Sequence, residues 1–229
     1  MWYKVKKIYV GTQQVRPSWW DPWNNTIAYY PLTSSTTTQD KSWNNRNLTN
    51  SWVTFWTYKW IDCAYSNMAS LLYNSSFVTN LQNLTVSARA YYVWNWYSWS
   101  GNYNQALWRW WSSSSENFWP YIENQYNPWL LVVSPGWFWR IQLTSNSKWV
   151  NVVVTYDYNN KTAIMYVDGV AGTSNTNANP PWWTYIRIGG KTSTWWWYGW
   201  LSEFIVEWKV WTAQEILDYY NNTKSNYWL

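Results

Sequence analysis

Tryptophan stands where a β-rich chain ordinarily needs glycine, and this limits the conformations open to the sequence more than any other feature. The segments Ser42-Trp43-Asn44-Asn45, Ser51-Trp52, Asn95-Trp96, Ser98-Trp99-Ser100 and Asp21-Pro22-Trp23-Asn24-Asn25 set an indole among turn formers. A turn that requires positive φ suits glycine and penalises tryptophan. Each indole also brings about 150–250 Å² to be hidden, and together they would leave apolar patches beyond the few hundred Å² that soluble monomers expose. The chain holds 28 Trp and 8 Gly in 229 residues, whereas glycine usage of about 7% would give about 16. Two readings follow. In one, the gene uses UGA for glycine, as some bacterial lineages and their viruses do, and decoding UGA as tryptophan has displaced part of the glycine. In the other, the chain is a Trp-rich binding or membrane-interface protein. Under either reading no Trp counts as a ligand platform on composition alone.

A chain of this length can form one large β domain with a real core. The net charge of +5 is mild, and its one cluster, Lys4, Lys6 and Lys7, reads as a solvated edge strand rather than a nucleic-acid patch. Cys63 is alone, which excludes an intrachain disulfide and points to a buried thiol. The segment 1–8 lacks the apolar run of a signal peptide, and no stretch approaches 18 apolar residues. The expectation is therefore no cleaved leader and no membrane span.

Residues 3–10 read as a short strand, followed by a polar stretch, so 1–25 is expected to be an N-terminal arm and linker before a domain spanning 26–229. Beyond it, short β runs are expected at 27–32, 52–55, 61–65, 84–92, 129–133, 137–143, 149–156, 162–168, 184–188 and 201–207. Polar loops expected at 95–104, 112–127 and 173–181 are long enough to form functional rims. The spacing implies an all-β antiparallel sandwich or jelly roll. One helix is expected: Thr212-Ala213-Gln214-Glu215 is a capping box, followed by an apolar stripe of Ile216, Leu217 and Tyr220.

Four ordered groups of segments carry a family likeness. They are Ile27-Ala28-Tyr29-Tyr30-Pro31-Leu32 with Asp40–Thr49; Leu84-Thr85-Val86-Ser87-Ala88; Trp149–Asp157 with Tyr166-Val167-Asp168-Gly169; and Ile186–Gly190, Gly199–Glu203 with Thr212–Ile216. Together they resemble the concanavalin A-like lectin/glucanase superfamily, in its laminin G-like or pentraxin-like jelly-roll branch. Trp43 then falls at a family glycine, Arg89 at a family aromatic, Ser202 at a family aspartate and Met68 at a family glycine. The resemblance implies a β-sandwich jelly roll with one short C-terminal helix.

The chain has no histidine, which removes Ser-His and Cys-His nucleophiles and His-based metal sites. A glycosidase needs two carboxyl groups about 5–5.5 Å or 6.5–9.5 Å apart. Glu203 and Glu207, four residues apart on one strand, would lie about 13 Å apart. They read as structural hydrogen-bonding residues, which disfavours a divergent glycoside hydrolase. Asp40 with Asn44 and Asn45, or Asp157 with Asn159 and Asn160, could offer oxygen ligands to calcium, but the same residues serve Asx turns. No other cofactor is implied. Stacking and hydrogen bonding to a glycan could come from Tyr97, Asn102, Tyr103, Tyr121 and Asn124. The sequence thus points to a non-catalytic module that binds a carbohydrate or another surface ligand in a phage tail-fibre or virion adhesin, with residues 1–25 contacting other virion proteins. A bacterial cell-surface lectin-like adhesin is the alternative. Localisation is expected on a virion or at a cell surface.

Overall fold

The computed structural model describes residues 9–10, 13–14, 25–67, 71–77, 82–92, 105–112, 115–117, 119–123, 129–134, 137–142, 148–176, 185–189 and 198–227. Strands β1 (Tyr9–Val10) and β2 (Gln13–Gln14) form a small hairpin. They are followed by β3 (Thr26–Tyr30), β4 (Thr49–Ser51), β5 (Thr54–Tyr58), β6 (Ile61–Asn67), β7 (Leu71–Asn74) and β8 (Leu84–Tyr92). Then come β9 (Gln105–Ala106), β10 (Trp108–Ser112), β11 (Ser115–Asn117), β12 (Trp119–Glu123), β13 (Trp129–Ser134) and β14 (Trp137–Gln142). The last strands are β15 (Trp149–Asp157), β16 (Thr162–Val167), β17 (Val170–Asn175), β18 (Tyr185–Gly189) and β19 (Tyr198–Glu207), before helix α1 (Ala213–Thr223) and a 3-10 turn at Lys224–Tyr227.

Every pairing among the described strands is antiparallel, and the architecture is a β-sandwich. An eight-stranded sheet runs β17-β16-β15-β8-β19-β6-β5, with β3 also on β19. A five-stranded sheet runs β11-β10-β18-β7-β4, and β14-β13-β12-β9 form a third. Alternation decides which face each strand buries. Leu84, Val86, Ala88 and Ala90 of β8, with Val150, Val152 and Val154 of β15, point into the core. Leu72, Trp108, Ile186 and Ile188 meet them from the five-stranded sheet. Each such Val, Leu or Ile side chain, fully buried, contributes about 1.5–3 kcal/mol.

The alternate residues of the large sheet face outward, where α1 covers them. Thr85 Oγ1 donates to the Lys209 carbonyl at 2.6 Å and accepts from the Trp211 amide at 2.9 Å. Trp211 Nε1 donates to Glu207 at 2.5 Å, Tyr219 donates its phenol proton to Glu203, and Arg89 donates to Thr223. A polar layer buried under a helix costs stability unless its groups are hydrogen-bonded, and these bonds fix where the helix lies. Arg89 sits opposite Glu203 in register and stacks against Tyr227, its guanidinium 4.4 Å from the ring centroid.

The strands expected at 27–32, 61–65, 84–92, 129–133, 137–143, 149–156, 162–168, 184–188 and 201–207 all correspond to strands of the structure. The run expected at 52–55 corrects to β5, because Trp52 lies in a turn before it. The loop expected at 112–127 contains β11 and β12, and β17 extends into the loop expected from 173. Of the N-terminal strand expected at 3–10, only Tyr9–Val10 is described; the rest, with Lys4, Lys6 and Lys7, lies outside the described residues. Cys63 is fully buried, and burial pushes its thiol up to about 12.

The capping box is present: Thr212 Oγ1 accepts from the Glu215 amide at 3.2 Å, and Glu215 accepts from the Thr212 amide at 2.9 Å. The buried stripe of α1 differs from expectation. It is Ile216, Tyr219 and Thr223, spaced three and four apart, while Leu217 is exposed. Burial raises the pKa of the Glu215 carboxyl, but hydrogen bonds from Lys209 and the Thr212 amide outweigh that and hold it below the ordinary value. Its stabilising effect is therefore present above the unfolded glutamate pKa and is lost as pH falls through the lower folded value. Thr212→Ala is expected to cost about 1 kcal/mol in urea unfolding. The loss should shrink once acid protonates Glu215.

Candidate functional site

The outer face of the large sheet opens where the partners of β19 change. Along one side of β19, residues 198–201 pair with β6, whereas residues 204–207 pair with β3. The partner changes between Leu201 and Phe204. On the other side, the register with β8 slips between Leu201 and Glu203, so Ser202 is the extra residue of a β-bulge. Bulges re-aim side chains and open local gaps in a sheet. Here a pocket of about 290 Å³ opens where β3 and β6 meet end to end on β19.

Its walls are Tyr29, Pro31, Ile61 and Tyr227, and its polar groups are Asp62, Ser202, Glu203 and Asn226. Thr33 and the exposed Trp60 complete the lining. Ser202 is 5% exposed, and its hydroxyl makes no hydrogen bond of good geometry, although it lies beside the Tyr227 phenol. Burial raises the Tyr227 pKa, the Glu203 charge adds to this, and Arg89 and Ser202 oppose it. Asp62 is half-buried and accepts from the Ser34 amide at 2.9 Å and the Ser34 hydroxyl at 2.6 Å, which ties the loop after β3 to β6. The site therefore combines aromatic and aliphatic surface with convergent polar groups, the usual make-up of a small-ligand site.

Ser202 and Glu203 were singled out in the sequence, but not as parts of a ligand site. Of the five glycan candidates, Tyr97, Asn102, Tyr103 and Asn124 lie outside the described residues. Tyr121 lies on β12, paired with Leu131 and Ala106. One signal for the pocket was available, since Ser202 departs from the aspartate that the family resemblance implies there.

The two calcium candidates serve turns. Asp40 is buried and accepts from the Tyr29 and Ser42 amides through Oδ1, and from the Ser42 hydroxyl and Arg46 amide through Oδ2, all at 2.8–2.9 Å. Asp157 Oδ1 accepts from the Asn159 and Asn160 amides, and Oδ2 from the Asn160 side chain. These bonds, led by the Asn160 side chain, hold the Asp157 pKa below the ordinary carboxylate range. Among the described residues, no three His, Cys, Asp or Glu side chains gather at a metal-binding distance. Glu203 and Glu207 are both buried, each accepting a hydrogen bond from a ring group of the C-terminal segment.

No protein-family model matches the chain, and no curated protein matches it. Solved structures do. Domain 4 of an extracellular arabinanase from Geobacillus stearothermophilus, in complex with arabinotriose, is similar at 17% identity and a TM-score of 0.62, covering 85% of this chain and 97% of that one. The receptor-binding domain of botulinum neurotoxin type G is similar at 14% identity and TM-score 0.63, covering 86% of this chain and 51% of that one. The binding domain of botulinum neurotoxin DC, in complex with SialylT, is similar at 11% and 0.60, covering 89% and 52%. The chain spans about half the length of the toxin domains. At these identities the likeness establishes the fold, a β-sandwich of the jelly-roll class.

Asp40→Ala strands three amides and a hydroxyl and is expected to cost about 3 kcal/mol or more in chemical denaturation. Chelation of calcium with EDTA is expected to leave the wild-type melting temperature unchanged.

Proposed function

We propose that the chain is a non-catalytic recognition module of the laminin G-like jelly-roll type, that it binds carbohydrate, and that the pocket at the strand switch receives the sugar. The observation that carries this reading is the Ser202 hydroxyl, buried without a well-formed hydrogen bond in a pocket walled by Tyr29 and Tyr227. A buried hydroxyl whose one neighbour, the Tyr227 phenol, is poorly aligned costs free energy that a bound hydroxyl or amide would recover. Tyr29, Pro31, Ile61 and Tyr227 supply the apolar walls against which a sugar ring's C–H groups rest. Two similar folds are known with glycans bound, arabinotriose in the arabinanase domain and SialylT in the toxin domain.

The absence of chemistry in the reading rests on the carboxylates. Glu203 and Glu207 are committed to Tyr219 and Trp211, which leaves them as poor general acids or nucleophiles. The wider assignment, a tail-fibre or virion adhesin attached through residues 1–25 and located on a virion or at a cell surface, belongs to the same proposal. It is supported by the basic N-terminal segment and the Arg16-Pro17 linker.

A glycan array probed with the full chain should give retained glycans, and no reducing sugar should be released on prolonged incubation. Ser202→Ala is expected to weaken the best glycan about fivefold, the worth of one neutral hydrogen bond. Hydrolysis, or no retention of any glycan, would contradict the proposal.

A further inference from the structure

The charge inside the pocket is one-sided. Asp62 and Glu203 line it, and among the described residues no Lys or Arg side chain does. Glu203 is the less available of the two: it accepts from Tyr219, and its cross-strand neighbour Arg89 lies beneath, against the Tyr227 ring. Asp62 differs. Each of its oxygens accepts one hydrogen bond from Ser34, and a carboxylate has about four acceptor sites, so the Ser34 bonds use about half of its accepting capacity. A ligand with a carboxylate or sulfate would face Asp62 without a compensating cation. One with an ammonium would gain a charge-assisted hydrogen bond.

Resting on the carbohydrate reading above, we propose that this pocket selects a saccharide ring bearing a protonated amine. The ammonium is taken by Asp62, a ring hydroxyl by Ser202 Oγ, and the ring face by the pocket's tyrosines. Binding of D-glucosamine, D-glucose, D-glucuronate and methylamine to the full chain, followed by isothermal titration, separates the contributions. Glucosamine should bind about tenfold more tightly than glucose, the worth of one charge-assisted hydrogen bond, and glucuronate should bind least. Asp62→Asn should remove the preference, with its melting temperature serving as the folding control. Ser202→Ala should weaken glucosamine and glucose alike. Equal binding of glucosamine and glucose would overturn the amine selection while leaving carbohydrate recognition intact. Methylamine binding as well as glucosamine, or no binding by any of the four, would overturn both.

A separate observation sets two tryptophans apart from three others. Trp52 and Trp60 are 84% and 85% exposed, and both have φ of +66°. Lys59-Trp60 is the two-residue turn joining Tyr58 to Ile61, with φ of +46° and +66°. The chain contains its own counterpart, the turn Asp168-Gly169 between Val167 and Val170, with φ of +52° and +81°. Both residues of such a turn need positive φ, which is why glycine dominates its second position. Trp52 is the third residue of the turn Asn50–Val53, closed by hydrogen bonds of 2.8 and 2.9 Å between Asn50 and Val53, again a glycine position when φ is positive. The second set is the reverse. Trp108, Trp149 and Trp211 are buried, packed edge-on or tilted against Phe204, Tyr91 and Tyr219, and Trp211 hydrogen-bonds Glu207.

We infer that the codons for Trp52 and Trp60 specify glycine in the source organism, whereas those for Trp108, Trp149 and Trp211 specify tryptophan. Reading the gene tests this directly: UGA at the first two with UGG at the other three supports it, and UGG at all five overturns it. At the protein level, Trp52→Gly and Trp60→Gly should each raise the melting temperature by about 3 °C through relief of left-handed strain. Unchanged or lowered melting temperatures would overturn the inference.

Discussion

The change of partner along β19 is the constraint on which the rest of the outer face depends. A strand of ten residues hydrogen-bonds β8 along one side, and on the other it must serve two shorter strands in turn. The single-residue slip at Ser202 reconciles the registers, placing Leu201, Phe204 and Val206 in the core while Trp200, Glu203, Ile205 and Glu207 belong to the outer face. The bulge thus accounts at once for a continuous core beneath and a gap above.

Helix α1 and the turn after it then decide how much of that outer face meets solvent. Ile216, Tyr219 and Trp211 pack on Tyr29, Val153, Tyr166 and Ile205, while Tyr227 packs with Trp149 and Trp200. Beneath lies a polar layer of Thr85, Arg89, Glu203 and Glu207, directional enough to hold the helix in one position. The C-terminal turn ends at the edge of the pocket, where Asn226 and Tyr227 form part of the lining. The helix cap, the buried network and the candidate site are therefore one mechanical unit, and loosening the first should be felt at the last.

Most of this fold was legible in the sequence, because period-two alternation and a capping box are local signals. Strand Leu84–Tyr92 and the Trp149–Val167 hairpin needed nothing beyond them. Strands β4, β7, β11 and β12 were harder to read, since Asn, Ser and Trp in those segments carry turn and strand meanings at once. The helix was found, but its buried face was not: Leu217 looks apolar in sequence, yet the sheet is met by Tyr219 and Thr223, whose hydroxyls have work to do on Glu203 and Arg89. The pocket was hidden for a different reason. It is made by segments more than a hundred residues apart, and Ser202 becomes chemically distinctive only when a register slip buries it beside the Tyr227 phenol. Asp40 shows the opposite case: its role as a turn acceptor was readable in the sequence, although its partners are Tyr29, Ser42 and Arg46 rather than Asn44 and Asn45.

The most direct measurement is a crystal structure of the full chain soaked with the saccharide that it retains best. The account is supported by a sugar ring seated against Tyr29 and Tyr227, with one hydroxyl within hydrogen-bond distance of Ser202 Oγ. A sugar bound elsewhere on the sandwich, with the strand-switch pocket unchanged, would contradict it.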